Sequence, residues 1–203
     1  MSTNEKQYWD YVDIGTSDFD TSADYAPASK VLLVEPLDFY LNKFVNMENV
    51  SLCNCAVGAY NGFIDIYYVS IENMLKHNIP MHIRGCNSVG RPHELVEHYI
   101  WEHNLSTEIY DKRPVPIITF SELCSRFDIG SIGTLKLDTE GHDHNILPEV
   151  FQFVQNNNIK TIIVEYQSYA GNTDELDKWF EKFATMGYVT TKLGLIDMKM
   201  EKV

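Results

Sequence analysis

VDIGTSDFDT, residues 12–21, is the stretch that decides the fold. An apolar strand is predicted over residues 10–14, with Asp13 near its end and Gly15 permitting the tight turn that follows. A short helix is predicted over residues 22–30. A strand, a turn and a helix in this order open doubly wound α/β sheets, which bind nucleosides at the carboxyl end of the first strand. The candidate cofactor-binding residues of this turn are Asp13, Gly15, Thr16, Ser17, Asp18 and Phe19.

A second acidic residue follows at the spacing that nucleoside sites use. Glu35 ends the apolar segment VLLV, 22 residues beyond Asp13, where a carboxylate accepts hydrogen bonds from ribose hydroxyls. Each residue alone is typical of an ordinary strand end, but together they predict a nucleoside cofactor. After Gly15, Ser17 stands in place of the second glycine of a dinucleotide fingerprint, and the third glycine is also absent. A site without a pyrophosphate has less need of those glycines, which favours S-adenosylmethionine over NAD.

Further along the chain, short strands alternate with amphipathic helices. Strands are predicted over residues 31–34, 50–57, 62–70, 115–120, 134–138, 161–166, 188–192 and 195–200, and helices over residues 37–45, 95–103, 121–127, 143–156 and 174–186. Ser121 is the expected N-cap of its helix. The alternation predicts an α/β fold with helices on both faces of a parallel sheet. No helix separates the last two strands, so we expect a Rossmann-like, mostly parallel seven-stranded sheet with a C-terminal antiparallel hairpin, the class I methyltransferase arrangement.

The composition is that of a soluble protein with an acidic surface. The 203 residues suit a single domain, and 16 Lys and Arg against 29 Asp and Glu give a net charge of −13. This charge repels phosphate backbones, so nucleic acid is not an expected partner. No apolar run approaches the ~20 residues of a membrane helix, and the first ten residues lack a secretion signal. We expect a cytoplasmic protein with no membrane partner, in which Cys53, Cys55, Cys86 and Cys124 are free thiols.

Five segments of the chain are similar to motifs of one known family. They are VDIGTSDFDT, VLLVEPL, CAVGAYNGFIDIY, TLKLDTEGHDHNIL and IIVEYQ. On these segments the chain resembles the FkbM-type S-adenosylmethionine-dependent methyltransferases, and LKLDTEG, which is similar to the family's Lys-Ile-Asp-x-Glu-Gly, is the most specific match. Phe19 departs from the family's usual glycine. The resemblance covers residues 11–167 and adds Pro36, Ala56 and Val57 to the expected cofactor site.

The resemblance also implies a reaction. FkbM-type enzymes methylate oxygen, commonly a sugar hydroxyl of a glycan or a glycosylated product, so the expected partner is a small-molecule or glycan acceptor. Some relatives carry glycosyltransferase domains beside this one, and many have helices before the first strand. Because the chain begins almost at that strand, we expect one domain of a longer polypeptide, or a lid formed by another element.

Acidic and imidazole side chains cluster after the predicted strand over residues 134–138. Methyl transfer requires alignment of three atoms, and a sugar hydroxyl needs a proton acceptor or a metal ion. His142 is the first candidate for the general base, since its usual pKa is ~6.5, and Asp138 and Glu140 are the other catalytic candidates. The alternative is that Asp138 and Glu165, which end adjacent strands, bind Mg²⁺ or Mn²⁺. Asp143 is expected to cap the following helix.

Residues 71–114 form the longest stretch without a clear pattern, and we expect this insertion to form part of the acceptor site. Its candidate acceptor-binding residues are Arg84, Asn87 and Ser88. An ordinary solvated loop is the alternative interpretation of these three residues. HELVEH, residues 93–98, resembles a zinc-protease helix but lacks its second histidine, so we expect a surface helix there.

Two other functions are compatible with a Rossmann-like fold. A nicotinamide-dependent oxidoreductase would need phosphate-binding glycines that the first turn lacks. A non-catalytic domain that binds a nucleotide or a partner protein would have no need of the acidic set at the predicted strand ends. That set comprises Asp13, Glu35, Asp138 and Glu140, together with Gly15.

Overall fold

The computed structural model describes residues 6–17, 29–166 and 173–203. The strands are β1 (Gln7–Ile14), β2 (Val31–Val34), β3 (Val50–Cys53), β4 (Ala56–Val57), β5 (Gly62–Tyr68), β6 (Ser88–Val89), β7 (Asp111–Ile118), β8 (Ile129–Leu137), β9 (Asn158–Glu165), β10 (Tyr188–Leu193) and β11 (Asp197–Lys202). The helices are α1 (Asp38–Leu41), α2 (Ile71–His77), α3 (Glu94–Glu102), α4 (Phe120–Arg126), α5 (Leu147–Val154) and α6 (Thr173–Ala184). Residues 22–28 of the predicted helix, and the candidate residues Asp18 and Phe19, lie outside the described residues, while residues 29 and 30 are not helical.

Seven strands form the main sheet, in the order β10-β11-β9-β8-β1-β2-β3. The five strands from β9 to β3 in this order are parallel. β11 lies between β9 and β10 and is antiparallel to both. Strand β2, which lies between β1 and β3, has four apolar residues with no exposed surface, as expected of a parallel strand covered on both faces. The predicted mostly parallel seven-stranded sheet with an antiparallel C-terminal hairpin is confirmed.

A second, smaller sheet has the strand order β4-β7-β5-β6. The prediction of one strand over residues 50–57 was wrong, because β3 belongs to the main sheet and β4 to the smaller one. The chain turns between them at Asn54, where Cys55 N–H donates to the Cys53 carbonyl at 3.1 Å. The Asn54 amide donates to the Glu35 carbonyl at 2.9 Å, so this turn is held beside the end of β2.

Two helix starts differ from the predictions. α4 begins one residue early and is capped by Thr119 rather than Ser121, because the Thr119 hydroxyl accepts from Glu122 N–H at 3.1 Å. The predicted helix over residues 143–156 is a 3₁₀ turn, Asp143–Asn145, followed by α5. Pro148 lies in the first turn of α5, where a residue without an N–H loses no hydrogen bond.

The insertion, residues 71–114, is folded rather than a loop. It contains α2, β6, α3 and the first residues of β7, and α3 confirms the helix predicted over residues 95–103. The insertion has an apolar cluster separate from the core of the main sheet, which it forms together with the preceding Val69. Its residues in the cluster are Met74, Ile79, Ile83, Cys86, Val96, Ile100 and Ile109. All four cysteines are free thiols. Among the described residues, no helix combines the length and the apolar character needed to cross a membrane.

Candidate active site

A cavity of about 350 Å³ opens at the carboxyl ends of β1, β2 and β8. Its sheet end is formed by residues that follow β1 and β2, namely Gly15, Thr16, Ser17, Glu35 and Pro36, and by Ala56 and Val57 of β4. Its insertion end is formed by His82, Gly85, Cys86, Asn87, Val89 and Leu95. The acidic turn, residues 138–142, lies between the two ends and contributes Asp138, Thr139, Glu140 and His142, with Glu165 beside it at the end of β9.

Gly15 holds the sheet end together by a close approach between main chains. Its φ is +89°, and a β-carbon added to it would lie 1.8 Å from the carbonyl oxygen of Asp138. Gly15 N–H donates to the Val34 carbonyl at 2.9 Å, and Asp138 N–H donates to the Ile14 carbonyl at 2.9 Å. The turn after β1 is therefore fixed between the ends of β2 and β8, and only glycine fits there.

Asp13 lies below the cavity rather than in its wall. The residue has no exposed surface, and the Thr16 hydroxyl donates to its carboxylate at 3.2 Å. The side chain of Asp13 thus supports the turn that carries Thr16 and Ser17.

Glu35 ends β2 with its carboxylate at the cavity wall. The side chain is 6% exposed, and Leu37 N–H donates to Oε1 at 2.8 Å. Burial first, and then the nearby charges of Asp13 and Asp138, raise the pKa of Glu35 well above its usual range. A pair of hydroxyl donors placed here would relieve the cost of burying this carboxylate.

Three carboxylates converge beside the acidic turn. Oxygens of Asp138, Glu140 and Glu165 lie within 4.8 Å of one another, and Lys136 Nζ lies 3.0 Å from Asp138 Oδ2. Burial, followed by the charges of Asp138 and Glu140, raises the pKa of Glu165 to about 10. Burial is also the main reason why the pKa of Glu140 is raised. This part of the cavity favours a bound proton or a cation.

The described lining of the cavity is acidic. Four of its residues, Glu35, Asp138, Glu140 and Glu165, are acidic and none is Lys or Arg. Such a cavity attracts a ligand with net positive charge and disfavours a pyrophosphate. A nucleoside sulfonium fits this electrostatic environment better than a dinucleotide does.

The comparison with known families decides the identity of the domain. A family model described as the methyltransferase FkbM domain matches residues 12–190 of the chain. The chain belongs to this family. Its members are S-adenosylmethionine-dependent methyltransferases, in agreement with the resemblance of the sequence motifs.

Two solved structures are similar to this FkbM domain. One is a methyltransferase FkbM from Methylobacillus flagellatus KT, with a TM-score of 0.52 and 11% identity over 98% of this chain. The FkbM domain spans 45% of the length of that protein, and at this identity the likeness shows the fold alone. The other is the O-methyltransferase NovP, with a TM-score of 0.37 and 10% identity over 96% of this chain and 72% of the other. The comparison of this chain with curated protein sequences found no match.

His142 lines the cavity, but its environment differs from the one that suggested it as a base. Burial lowers the pKa of His142 to about 4, well below the usual value on which the prediction relied. Asn145 Nδ2 lies 3.3 Å from His142 Nδ1, and an amide donor at that distance leaves the ring hydrogen on Nε2. His142 is therefore neutral at pH 7 and a weak proton acceptor.

Asp143 does not cap the helix that follows it. Its Oδ1 accepts hydrogen bonds from Thr139 N–H at 3.0 Å and from the Thr139 hydroxyl at 2.8 Å, so it closes the acidic turn from behind. The prediction was wrong because the turn, rather than the helix start, presents the nearest unpaired donors. Burial raises the pKa of Asp143 to about 7.

Of the three candidate acceptor-binding residues, only Asn87 lines the cavity. Its amide donates to the Tyr40 hydroxyl at 3.1 Å. The Tyr40 hydroxyl donates in turn to the Arg84 carbonyl at 2.6 Å, while the Arg84 guanidinium lies 5.0 Å from the Tyr40 ring. Ser88 lies in β6, paired with Tyr67. Arg84 and Ser88 are therefore behind the wall rather than among the lining residues.

His93 is a site residue that the sequence analysis missed. It is 4% exposed, and its Nε2 lies 2.8 Å from Glu140 Oε2 in the acidic turn. The sequence analysis considered the HELVEH segment only as an incomplete zinc motif. One sequence feature could have indicated a functional histidine: His93 directly precedes Glu94 at the start of a helix, in an insertion expected to form part of the active site.

Proposed function

We propose that this chain transfers the methyl group of S-adenosylmethionine to a hydroxyl oxygen of a sugar, in a glycan or a glycosylated small molecule. The observation that carries the proposal is a cavity with a buried carboxylate, Glu35, at its sheet end and a carboxylate cluster at the acidic turn. The family supports methyl transfer. The sugar acceptor is supported by the sequence resemblance and by a second half of the cavity that the insertion forms.

The sheet end is suited to the nucleoside part of the cofactor. Glu35 would accept hydrogen bonds from the ribose hydroxyls, and the backbone of Thr16 and Ser17 would face the polar tail. Ala56 and Val57 are 5% and 2% exposed and offer an apolar surface to the adenine ring. The acidic cavity favours this cofactor over NAD, which supports methyl transfer over the oxidoreductase alternative.

The acidic turn is suited to activate the acceptor hydroxyl. Bound S-adenosylmethionine supplies an electrophilic methyl carbon. The chain must align the acceptor oxygen with it and take up the hydroxyl proton as the new carbon–oxygen bond forms and the carbon–sulfur bond breaks. Asp138 and Glu140 face this space and are the proton acceptors in our proposal. His142, with its low pKa, is better suited to donate a hydrogen bond from Nε2 to an acceptor oxygen.

A divalent cation is the alternative to a protein base. Asp138, Glu140 and Glu165 offer oxygen ligands within 4.8 Å of one another, the ligand type that Mg²⁺ and Mn²⁺ prefer. These residues would hold the ion, and it would increase the acidity of a bound hydroxyl. In both versions of the proposal the reaction takes place at the acidic turn.

We also propose a cytoplasmic location, where four free cysteines stay reduced.

The test is a turnover assay with methyl-deuterated S-adenosylmethionine and a panel of neutral hexosides, deoxyhexosides, amino sugars and sugar phosphates. We expect a deuteromethyl ether on a neutral or amino sugar and none on a sugar phosphate, because the cavity is acidic. Parallel reactions with EDTA, Mg²⁺ or Mn²⁺ distinguish the metal from the protein base. Binding of S-adenosylhomocysteine without transfer to any panel member would contradict the sugar acceptor but not the cofactor.

A further inference from the structure

The buried contact between His93 and Glu140 joins the insertion to the acidic turn. His93 is the N-cap of α3, and its Nδ1 accepts from Leu95 N–H at 3.2 Å. A neutral imidazole that accepts at Nδ1 carries its hydrogen on Nε2. That nitrogen lies 2.8 Å from Glu140 Oε2. The helix start therefore fixes the tautomer that has the N–H group on the nitrogen beside the carboxylate.

Glu140 has an unusual main-chain conformation for a glutamate. Its φ is +52°, and Gly141 after it has a φ of +90°. A non-glycine residue in the left-handed region persists only where its surroundings enforce it, and such residues are common at functional sites. Here the conformation turns the Glu140 side chain from the end of β8 into the cavity, where it meets both His93 and Asp138.

A zinc ion is the other ligand that these side chains suggest. Cys86, His93 and Glu140 offer ligand atoms within 4.8 Å of one another, which is a combination that zinc accepts. Coordination through His93 Nε2, however, would require the ring hydrogen on Nδ1. That hydrogen would face the Leu95 N–H group, donor against donor. The cap of α3 thus favours a hydrogen bond from His93 over a metal bond.

We propose that His93 is a positioning residue that holds the Glu140 carboxylate where it receives the hydrogen bond of the acceptor hydroxyl. The role of Glu140 rests on the proposed function, whereas the tautomer of His93 does not. The insertion would then contribute to catalysis through Glu140 as well as to the wall of the cavity. Docking of α3 and alignment of the acceptor would depend on the same imidazole.

Two substitutions separate the cap of α3 from the contact between His93 and Glu140. In His93→Asn the amide stands at the place of Nδ1, and asparagine is a good N-cap, but it cannot reach Glu140. In His93→Gln the amide nitrogen reaches the place of Nε2 while the cap is weakened. We therefore expect the Asn variant to be the more stable of the two and the Gln variant to have the higher turnover.

The first measurement needs no acceptor. Long-range ¹H–¹⁵N spectra of the imidazole rings should show the Nε2–H tautomer for His93, and Glu140→Gln should shift that nitrogen while the Leu95 amide signal stays in place. A Nδ1–H tautomer, a stoichiometric complex on adding Zn²⁺ alone, or no response to Glu140→Gln would overturn the proposal. Binding of S-adenosylhomocysteine, measured beside it, reports separately on the proposed function.

The second measurement is turnover on the sugar that the acceptor panel identifies. We expect kcat of His93→Asn to fall about tenfold or more, as for a misplaced catalytic group, with thermal midpoint and S-adenosylhomocysteine affinity near wild type. His93→Gln should recover most of kcat although its thermal midpoint is lower. Equal losses of kcat in both variants, or losses that follow the thermal midpoint, would show a purely structural role.

Discussion

The two ends of the cavity are built in different ways. At the sheet end, main-chain groups of neighbouring strands bind one another, as where Gly15 and Glu35 donate to the carbonyls of Val34 and Cys53. At the insertion end, side chains make the connections, and their partners lie far away in sequence. Tyr40 bonds to the main chain of Arg84, and His93 contacts Glu140.

This difference predicts different responses to substitution. A change at the sheet end should damage the fold and cofactor binding together, because the main chain is both the framework and the wall. A change at the insertion end should alter turnover or acceptor alignment while the cofactor still binds. The variants below test this contrast, beginning with the largest expected effect.

Gly15→Ala should cause the largest loss. The added β-carbon would overlap the Asp138 carbonyl at 1.8 Å, and alanine is strained at a φ of +89°. We expect the free energy of unfolding to fall by about 3 kcal/mol or more, with loss of nucleoside binding. Urea denaturation and calorimetry measure both quantities.

Gly194→Ala is the matched control for that substitution. Gly194 also has a positive φ, +68°, but no atom lies within 4 Å of the added β-carbon. We expect a loss of about 1 kcal/mol from strain alone and unchanged binding. Equal effects at the two glycines would refute the close approach at the sheet end.

Asp143→Asn should change how stability depends on pH. The pKa of Asp143 is raised to about 7 in the folded protein and is ~3.9 in the unfolded chain. Its contribution to stability is therefore complete below the unfolded value and is lost as pH rises towards 7. The slope is up to about 1.4 kcal/mol per pH unit.

We expect the Asn variant to gain stability over wild type between pH 4.5 and 7.5, because its Oδ1 can still accept from Thr139. Urea denaturation at several pH values tests this. The exposed Glu48→Gln serves as control and should leave the curve parallel to wild type. A difference between the Asn variant and wild type that does not grow with pH would contradict the burial of a carboxyl behind the acidic turn.

Glu35→Gln should weaken cofactor binding without lowering the stability of the fold. The amide oxygen can keep the bond from Leu37 N–H, but the charge-assisted hydrogen bonds to ribose are lost. We expect the affinity for S-adenosylhomocysteine to fall about tenfold to a hundredfold and the free energy of unfolding to stay level or rise. Calorimetry measures the first, with Glu48→Gln as control. Unchanged affinity would show that Glu35 does not bind the cofactor.

Tyr40→Phe should have the smallest effect and tests how the insertion is attached. The change removes the hydroxyl that bonds to the Arg84 carbonyl and receives the Asn87 amide. We expect a loss of about 1 kcal/mol in the free energy of unfolding and little change in cofactor affinity. Tyr60→Phe, at a side chain 48% exposed, is the control and should be neutral. A loss of cofactor affinity in Tyr40→Phe would contradict the claim that changes at the insertion end leave cofactor binding intact.

The same contrast explains how much the sequence could predict. The turn after β1 and the carboxylate at the end of β2 follow from residue order alone, since adjacent parallel strands end at one edge of the sheet. The seven-stranded sheet and its antiparallel end were predictable from the alternation of strands and helices for the same reason.

The features that the sequence did not predict depend on contacts between residues that are distant in sequence, and on burial. Residues 50–57 alternate like one strand, and only the side chain of Asn54 beside β2 shows why they divide between two sheets. His142 was chosen on the pKa of an exposed imidazole, whereas burial changes it. His93 and Glu140 are separated in sequence by α3, β7, α4 and β8, so their contact was not predictable from either segment.

The most direct test of the account is a titration of the protein with S-adenosylhomocysteine by calorimetry, with NAD under the same conditions. The acidic cavity with Glu35 at its sheet end predicts binding of the nucleoside in the micromolar range or tighter and none of the dinucleotide. Absence of binding by S-adenosylhomocysteine, or binding of NAD in its place, would contradict the assignment of this cavity to methyl transfer.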